Sequence, residues 1–168
     1  MKLKNRYIYL TITLSIILAD QISKYFIRSS FGLYDQKNII KGFFRFIYVK
    51  NNGAVWGFFS GNSNPFITIL ITILAIIALS VVIYLFFKIG SEKILEALAL
   101  SFIAGGAIGN IIDRIFLGYV VDFIEIYIKK YRWPTFNIAD SFISIGIVLL
   151  LFSIFKDRKN SEKKKGVE

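Results

Sequence analysis

Four stretches of nearly unbroken apolar sequence run from Tyr7 to Ser23, Pro65 to Phe87, Ile94 to Ile112 and Phe136 to Phe155. A hydrocarbon core about 30 Å thick takes roughly 20 helical residues to cross, so each stretch predicts a transmembrane helix. Between the first and second stretches, from Phe31 to Gly61, the pattern changes to that of short strands. Ile39 to Lys50 is rich in β-branched and aromatic residues, and Asn52-Gly53 is a turn dipeptide ahead of Ala54 to Phe59. Before the fourth stretch, Ile124, Ile126 and Ile128 alternate with Glu125, Tyr127 and Lys129, the period of an extended, half-buried segment. The expected architecture is an all-α membrane protein of four transmembrane helices, with a small sheet resting on the membrane. No internal repeat or separate soluble domain is visible, so residues 1–168 are expected to form a single integral membrane domain.

Composition agrees with a lipid solvent. The chain is 55% hydrophobic and 17% aromatic with a mean hydropathy of +0.61, and only 19% of its residues are charged, against about 25% for a soluble domain. Lys2, Lys4 and Arg6 before the first apolar run resemble the start of a secretory signal. Three further spans follow, however, and no small-residue cleavage site precedes Asp20, so the first run is expected to be a retained helix.

Lysine and arginine gather in the two tails (Lys2, Lys4 and Arg6; Lys156, Arg158, Lys159 and Lys163 to Lys165) and flank the short middle turn at Lys88 and Lys93. With four spans these regions share one side, which the positive-inside rule assigns to the cytoplasm. Both termini are then cytoplasmic, and residues 156–168 form a basic, solvated tail. The net charge of +10 flanks membrane spans, which points to anionic lipid headgroups and not to nucleic acid. Trp56, Trp133 and neighbouring tyrosines suit an interfacial aromatic belt.

The chain contains no histidine and no cysteine. That excludes serine–histidine and cysteine–histidine nucleophiles, disulfides, and any metal site needing imidazole or sulfur. Carboxylates remain, at the ends of the apolar runs: Asp20, Asp113, Asp122 and Asp140. Asp20 and Lys24 are four apart and can form a charge pair on one helix face. Asn110, Asp113 and Arg114 project from one side of the third helix, and Asn137 and Asp140 repeat the three-residue spacing at the start of the fourth. Bland roles are open for several of these. Asp113 can pair with Arg114 or cap a helix, Asn51-Asn52-Gly53 can be only a turn, and Gly105 and Gly109 have the spacing of close helix packing.

Asp122 and Asp140 have no cation beside them in sequence, and they lie in apolar surroundings where an ionisable group is costly. Two carboxylates close together in a poorly hydrated site tend to share one proton, which is acid–base machinery. A proton-coupled transporter and an enzyme using the same aspartates as Mg²⁺ ligands remain alternatives at this point.

Five segments then resemble, in order, the signatures of the bacterial lipoprotein signal peptidase (type II signal peptidase) family. They are DQISK from Asp20, NNGAVWG from Asn51, GGAIGNIIDR from Gly105, VVDFI from Val120 and FNIADS from Phe136. The resemblance implies four transmembrane helices with an extracytoplasmic β-cradle in a bacterial cytoplasmic membrane, and an active site toward the outer face. It implies an aspartyl endopeptidase that removes the signal peptide of diacylglyceryl-modified prolipoproteins before the lipidated cysteine. By motif, Asp122 and Asp140 match the catalytic pair. Asn51, Gly53, Asn110, Arg114 and Asn137 match residues lining the substrate site, and Asp20, Lys24 and Asp113 support its shape. No cofactor and no metal are expected; the expected partners are prolipoprotein substrates and membrane lipids, with the protein a monomer. Val55-Trp56 departs slightly from the family pattern and bears on substrate fit. The apolar segments Gly42 to Phe46 and Trp56 to Phe59 are expected to clamp the substrate chain, while Glu125 to Arg132 matches no motif and carries no assigned role.

Overall fold

In the computed structural model the structure describes residues 3–53, 65–90 and 92–165. Among them the chain runs α1 (Leu3–Ser30), β1 (Gln36–Ile40), β2 (Phe44–Asn51), α2 (Pro65–Lys88), α3 (Ile94–Leu117), β3 (Val120–Ile128), β4 (Tyr131–Arg132) and α4 (Ile138–Lys165). All four helices are long and apolar enough to span a membrane.

Local chemistry sets their ends. Pro65 opens α2, where its missing N–H has no helical partner to lose. Gly118 ends α3 in the left-handed region at φ 78°, its N–H bonded to Arg114 O at 3.1 Å. Asn137 caps α4, its Oδ1 accepting the Asp140 N–H at 2.9 Å.

The apolar runs underestimate these helices. α1 continues through Asp20 and Lys24 to Ser30, and α3 through Asp113 and Arg114 to Leu117, because these polar residues are buried and partnered instead of marking an exit into water. α4 starts at Ile138 and not Phe136, since Phe136 bridges to Ile124 as an extra rung beside β3. It then runs on to Lys165, so the basic segment after Phe155 is largely helical.

α3 is the hub. It packs against α1, α2 and α4, and it carries most of the buried helical residues. Small residues allow this. A Cβ at Gly106 would sit 2.4 Å from the Ala139 carbonyl oxygen of α4, and one at Gly105 would sit 2.9 Å from Ile16 Cβ of α1, so both neighbours touch backbone. α2 leans mainly on α3, and Phe86 is its one buried residue, consistent with a helix that is apolar all round and solvated by lipid.

The chain segments between helices combine into one antiparallel arrangement in the order β1-β2-β3-β4. The first hairpin turns at residues 40–43, with Phe43 N–H bonded to Ile40 O at 3.1 Å and Gly42 at φ 80°, a conformation that favours glycine. The expected turn at Asn52-Gly53 instead follows the end of β2, whose strand partners are β1 and β3. The expected strand Ala54 to Phe59, with Trp56, lies outside the described residues. The isoleucine alternation is borne out by β3, and the stretch left without a role forms the β3–β4 hairpin, turning at Lys129 with φ 53°. Val121 and Phe123 pack against Ile27 and Tyr48, joining the sheet to α1. Trp133 is exposed.

Gly106→Ala should lower stability by about 1–3 kcal/mol, because the clash is with α4 backbone and cannot be relieved by a rotamer. The thermal unfolding midpoint in detergent reads this, with lipid-facing Ile77→Ala as a control that stays near the wild-type value.

Candidate active site

The polar residues of five elements meet at the sheet end of the helices. α1 contributes Asp20, Gln21 and Lys24. Asp20 is 0% exposed and Lys24 2%, so the charge pair expected from their spacing is entirely out of solvent. Lys24 Nζ lies 2.8 Å from Asp20 Oδ2, 3.1 Å from Asp113 Oδ2 and 2.9 Å from Asn110 Oδ1. An ammonium has three protons to donate, and here each has an acceptor. Gln21 Nε2 adds bonds to Asp20 Oδ2, Asp113 Oδ1 and Gly109 O at 3.1–3.2 Å.

Asp113 therefore does not pair with Arg114, as the sequence had left open; its partner is Lys24. Consecutive helical residues do not face each other, and Asp113 turns toward α1 while Arg114 turns toward the segment after β2. The two carboxylates flanking Lys24 each use a further oxygen contact on backbone. Asp20 Oδ1 accepts the N–H of Ala139 at 2.9 Å, and Asp113 Oδ2 accepts the N–H of Val121 at 2.9 Å. These N–H groups belong to the residues immediately before Asp140 and Asp122.

Asp122, on β3, is 2% exposed and Asp140, in the first turn of α4, is 4% exposed. Asn51 Nδ2 donates to Asp122 Oδ2 at 2.8 Å, and Asn137 Nδ2 donates to Asp122 Oδ1 at 2.7 Å. Asn110 Nδ2 donates to Asp140 Oδ1 at 2.8 Å, and Asn137 Nδ2 also reaches Asn110 Oδ1 at 3.2 Å, so amides link the two carboxyls. Burial, and after it the nearby Asp140 charge, pushes the Asp122 carboxyl above the ordinary carboxylate range, while the Asn51 amide and Lys24 pull the other way.

Arg114 Nη2 donates to Gly53 O at 3.0 Å and Nη1 to Asn110 O at 3.2 Å. Gly53 N–H in turn bonds Asn51 Oδ1 at 2.8 Å, the Asx turn expected there. That turn aims the Asn51 amide at Asp122. Asn51, and not Asn52, reaches the carboxylate.

All of the residues singled out from the sequence thus converge: Asp20, Lys24, Asn51, Gly53, Asn110, Asp113, Arg114, Asp122, Asn137 and Asp140. Gln21 was overlooked, although it sits inside the DQISK segment. So was Glu125, which forms a buried ion pair with Arg45 across β2 and β3. Among the described residues no cluster of three or more acidic side chains could hold a metal ion.

Two clefts reach the site, one at Arg114 and one at Asp140. One of about 450 Å³ lies between α2 and α3 and is lined by Asn52, Thr68, Thr72, Ile73, Arg114 and Ile115 among others. The other, about 340 Å³, runs along α4 and is lined by Trp133, Phe136, Asp140, Ser141, Ser144 and Ile145.

Known proteins resemble this chain. The family model for signal peptidase (SPase) II matches residues 12–156. A protein from Staphylococcus aureus (strain JH9) described as lipoprotein signal peptidase is 39% identical over 153 residues, 91% of this chain and 91% of that one. One of the same description from Syntrophus aciditrophicus (strain SB) is 35% identical over 144 residues, covering 86% and 89%. A solved structure described as a bacterial membrane enzyme superposes with a TM-score of 0.81 at 36% identity, covering 90% of each chain. With the family match spanning all four helices and the sheet, the chain belongs to the signal peptidase II family.

Proposed function

We propose that this membrane protein is an aspartyl endopeptidase that removes signal peptides from diacylglyceryl-modified prolipoproteins, cutting before the lipidated cysteine. The observation that carries the reading is the pair Asp122 and Asp140, buried together and joined through the Asn110 and Asn137 amides. A carboxyl pair sharing one proton holds a base and an acid in one place. The ionised member takes a proton from water as it attacks the scissile carbonyl, and the protonated member supplies the carbonyl oxygen. The relatives described as lipoprotein signal peptidases support the substrate class.

The substrate is itself an apolar helix with acyl chains at the membrane surface, so its cutter needs carboxylates near lipid and lateral access. The cleft between α2 and α3 and the one along α4 suit that access. Arg114, Asn51 and Asn137 serve as contacts to the substrate backbone as well as holding the pair, and Asp20, Lys24 and Asp113 keep the framework. The lysine and arginine distribution supports cytoplasmic termini, with the sheet and the carboxyl pair toward the outer face of the bacterial membrane. The protein acts as a single-domain monomer surrounded by lipid.

Asp122→Asn and Asp140→Asn should each lower kcat by on the order of 10²- to 10⁴-fold while the protein still inserts and folds. Cleavage of a lipidated precursor by purified protein measures this, with an unlipidated precursor as the comparison that is left uncut. A variant keeping the wild-type rate would remove that residue from the chemistry. EDTA should leave the wild-type rate unchanged; loss of activity restored by Mg²⁺ would replace the paired-carboxyl reading with a metal-dependent one.

Stability should depend on pH in a defined direction. Folded Asp122 holds its proton to higher pH than the unfolded chain does, so its contribution is full below the ordinary carboxylate range. It is lost as pH rises through the raised value. The thermal midpoint of the wild type should fall over that window, and Asp122→Asn should lack that part of the slope.

A further inference from the structure

We infer that Asp122 is the ionised base of the pair and that Asp140 is the acid, carrying the shared proton on Oδ2. The assignment rests on reading these residues as the catalytic pair, and it comes from the orientation of three asparagines. An amide can face a carboxyl with its oxygen or its nitrogen, and each of these three has its oxygen fixed by a group that only donates. Asn110 Oδ1 accepts from the Lys24 ammonium at 2.9 Å, Asn137 Oδ1 from the Asp140 N–H at 2.9 Å, and Asn51 Oδ1 from the Gly53 N–H at 2.8 Å. Each must then present its NH₂ to a carboxyl.

Those NH₂ groups are shared unequally. Both oxygens of Asp122 accept one, from Asn51 and from Asn137. Asp140 accepts one, at Oδ1 from Asn110, and its other donor is the Asn137 backbone N–H, a weaker influence than the Asn110 amide. An oxygen facing an N–H donor is held as an acceptor, and donors to a carboxyl favour its charged form. The proton therefore resides on Asp140, the carboxyl that faces one amide NH₂ instead of two, on the oxygen away from Asn110, and Asp140 lines the cleft beside Trp133 and Phe136. The charged groups around the pair do not reverse this. Lys24 on α1 and Arg114 on α3 act on both carboxyls, Asp20 on α1 opposes charge on Asp140, Asp113 on α3 pairs with Lys24, and β2 contributes the neutral Asn51.

The chemistry balances with these roles. Asp122 takes a proton from water as the water oxygen bonds to the carbonyl carbon, and the Oδ2 proton of Asp140 passes to the carbonyl oxygen. The result is a neutral gem-diol, with Asp122 protonated and Asp140 ionised. On collapse Asp140 takes a hydroxyl proton back as C=O reforms, the C–N bond breaks, and Asp122 gives its proton to the departing nitrogen. The pair returns to its starting state.

The test is the pH dependence of kcat/KM for a lipidated precursor in the wild type, Asn51→Ser and Asn137→Ser. Serine keeps a short acceptor for Gly53 N–H or Asp140 N–H but removes the donor to Asp122. Losing that donor weakens Asp122 ionisation, which is the lower limb, and leaves the upper limb alone because Asp122 is charged on both sides of that step. The expected result is a lower limb moved up by about one pH unit with the upper limb in place.

An upper limb that moves while the lower stays would overturn the assignment and make Asp140 the base. Limbs that both stay, or both move together, would overturn it as well. Where turnover is too slow, infrared titration of the protonated-carboxyl C=O band reads the same two steps without catalysis, with the same expectation. A wild-type protein that leaves the lipidated precursor intact would overturn the catalytic role of the pair itself, a failure distinct from a misassigned proton.

Discussion

The site depends on a lysine ammonium with all three of its protons placed. Lys24 is buried in a helix bundle where an isolated charge would be prohibitive, and it is tolerated because Asp20, Asp113 and Asn110 each accept one N–H. Breaking such a cluster by removing one member costs about 3–5 kcal/mol, because the remaining charges stay buried without compensation. The cluster's value to the molecule lies in what its carboxylates hold besides Lys24. Asp20 grips the N–H before Asp140 and Asp113 grips the N–H before Asp122. Two chain positions far apart in sequence are thereby located from one common point.

Close approach makes those bonds reachable. Gly109 stands where a Cβ would lie 2.6 Å from Asp20 Oδ2, and Gly106 where one would lie 2.4 Å from Ala139 O. A side chain at either position would push α1 or α4 away from α3 by more than a hydrogen bond tolerates. The glycines read from sequence as packing residues are therefore also the reason the polar cluster can close, and helix packing and site geometry share one cause.

Much of this was legible from the residues. The apolar runs located all four helices, the period-2 alternation located β3, and the five family segments contained every side chain that hydrogen-bonds to the carboxyl pair. The errors have physical reasons. Apolarity ends a helix too early when its last turns hold buried charges, as at Asp20 and Lys24 or Asp113 and Arg114. The hairpin turn around Gly42 was not anticipated, because pairing of β2 with β1 is decided across the sheet. The partner of Asp113 was out of reach for the same reason: Lys24 is distant in sequence, and only the packing of α1 on α3 brings them together.

The bond between Asp20 and Ala139 joins the first helix to the last. During synthesis the ribosome releases α1, both strands of the first hairpin, α2 and α3 before residue 139 exists, so through most of translation the acidic cluster has no α4 to hold. Asp140 arrives with that same helix. A nascent chain consequently brings the two carboxyls together only once the final span has threaded in and docked.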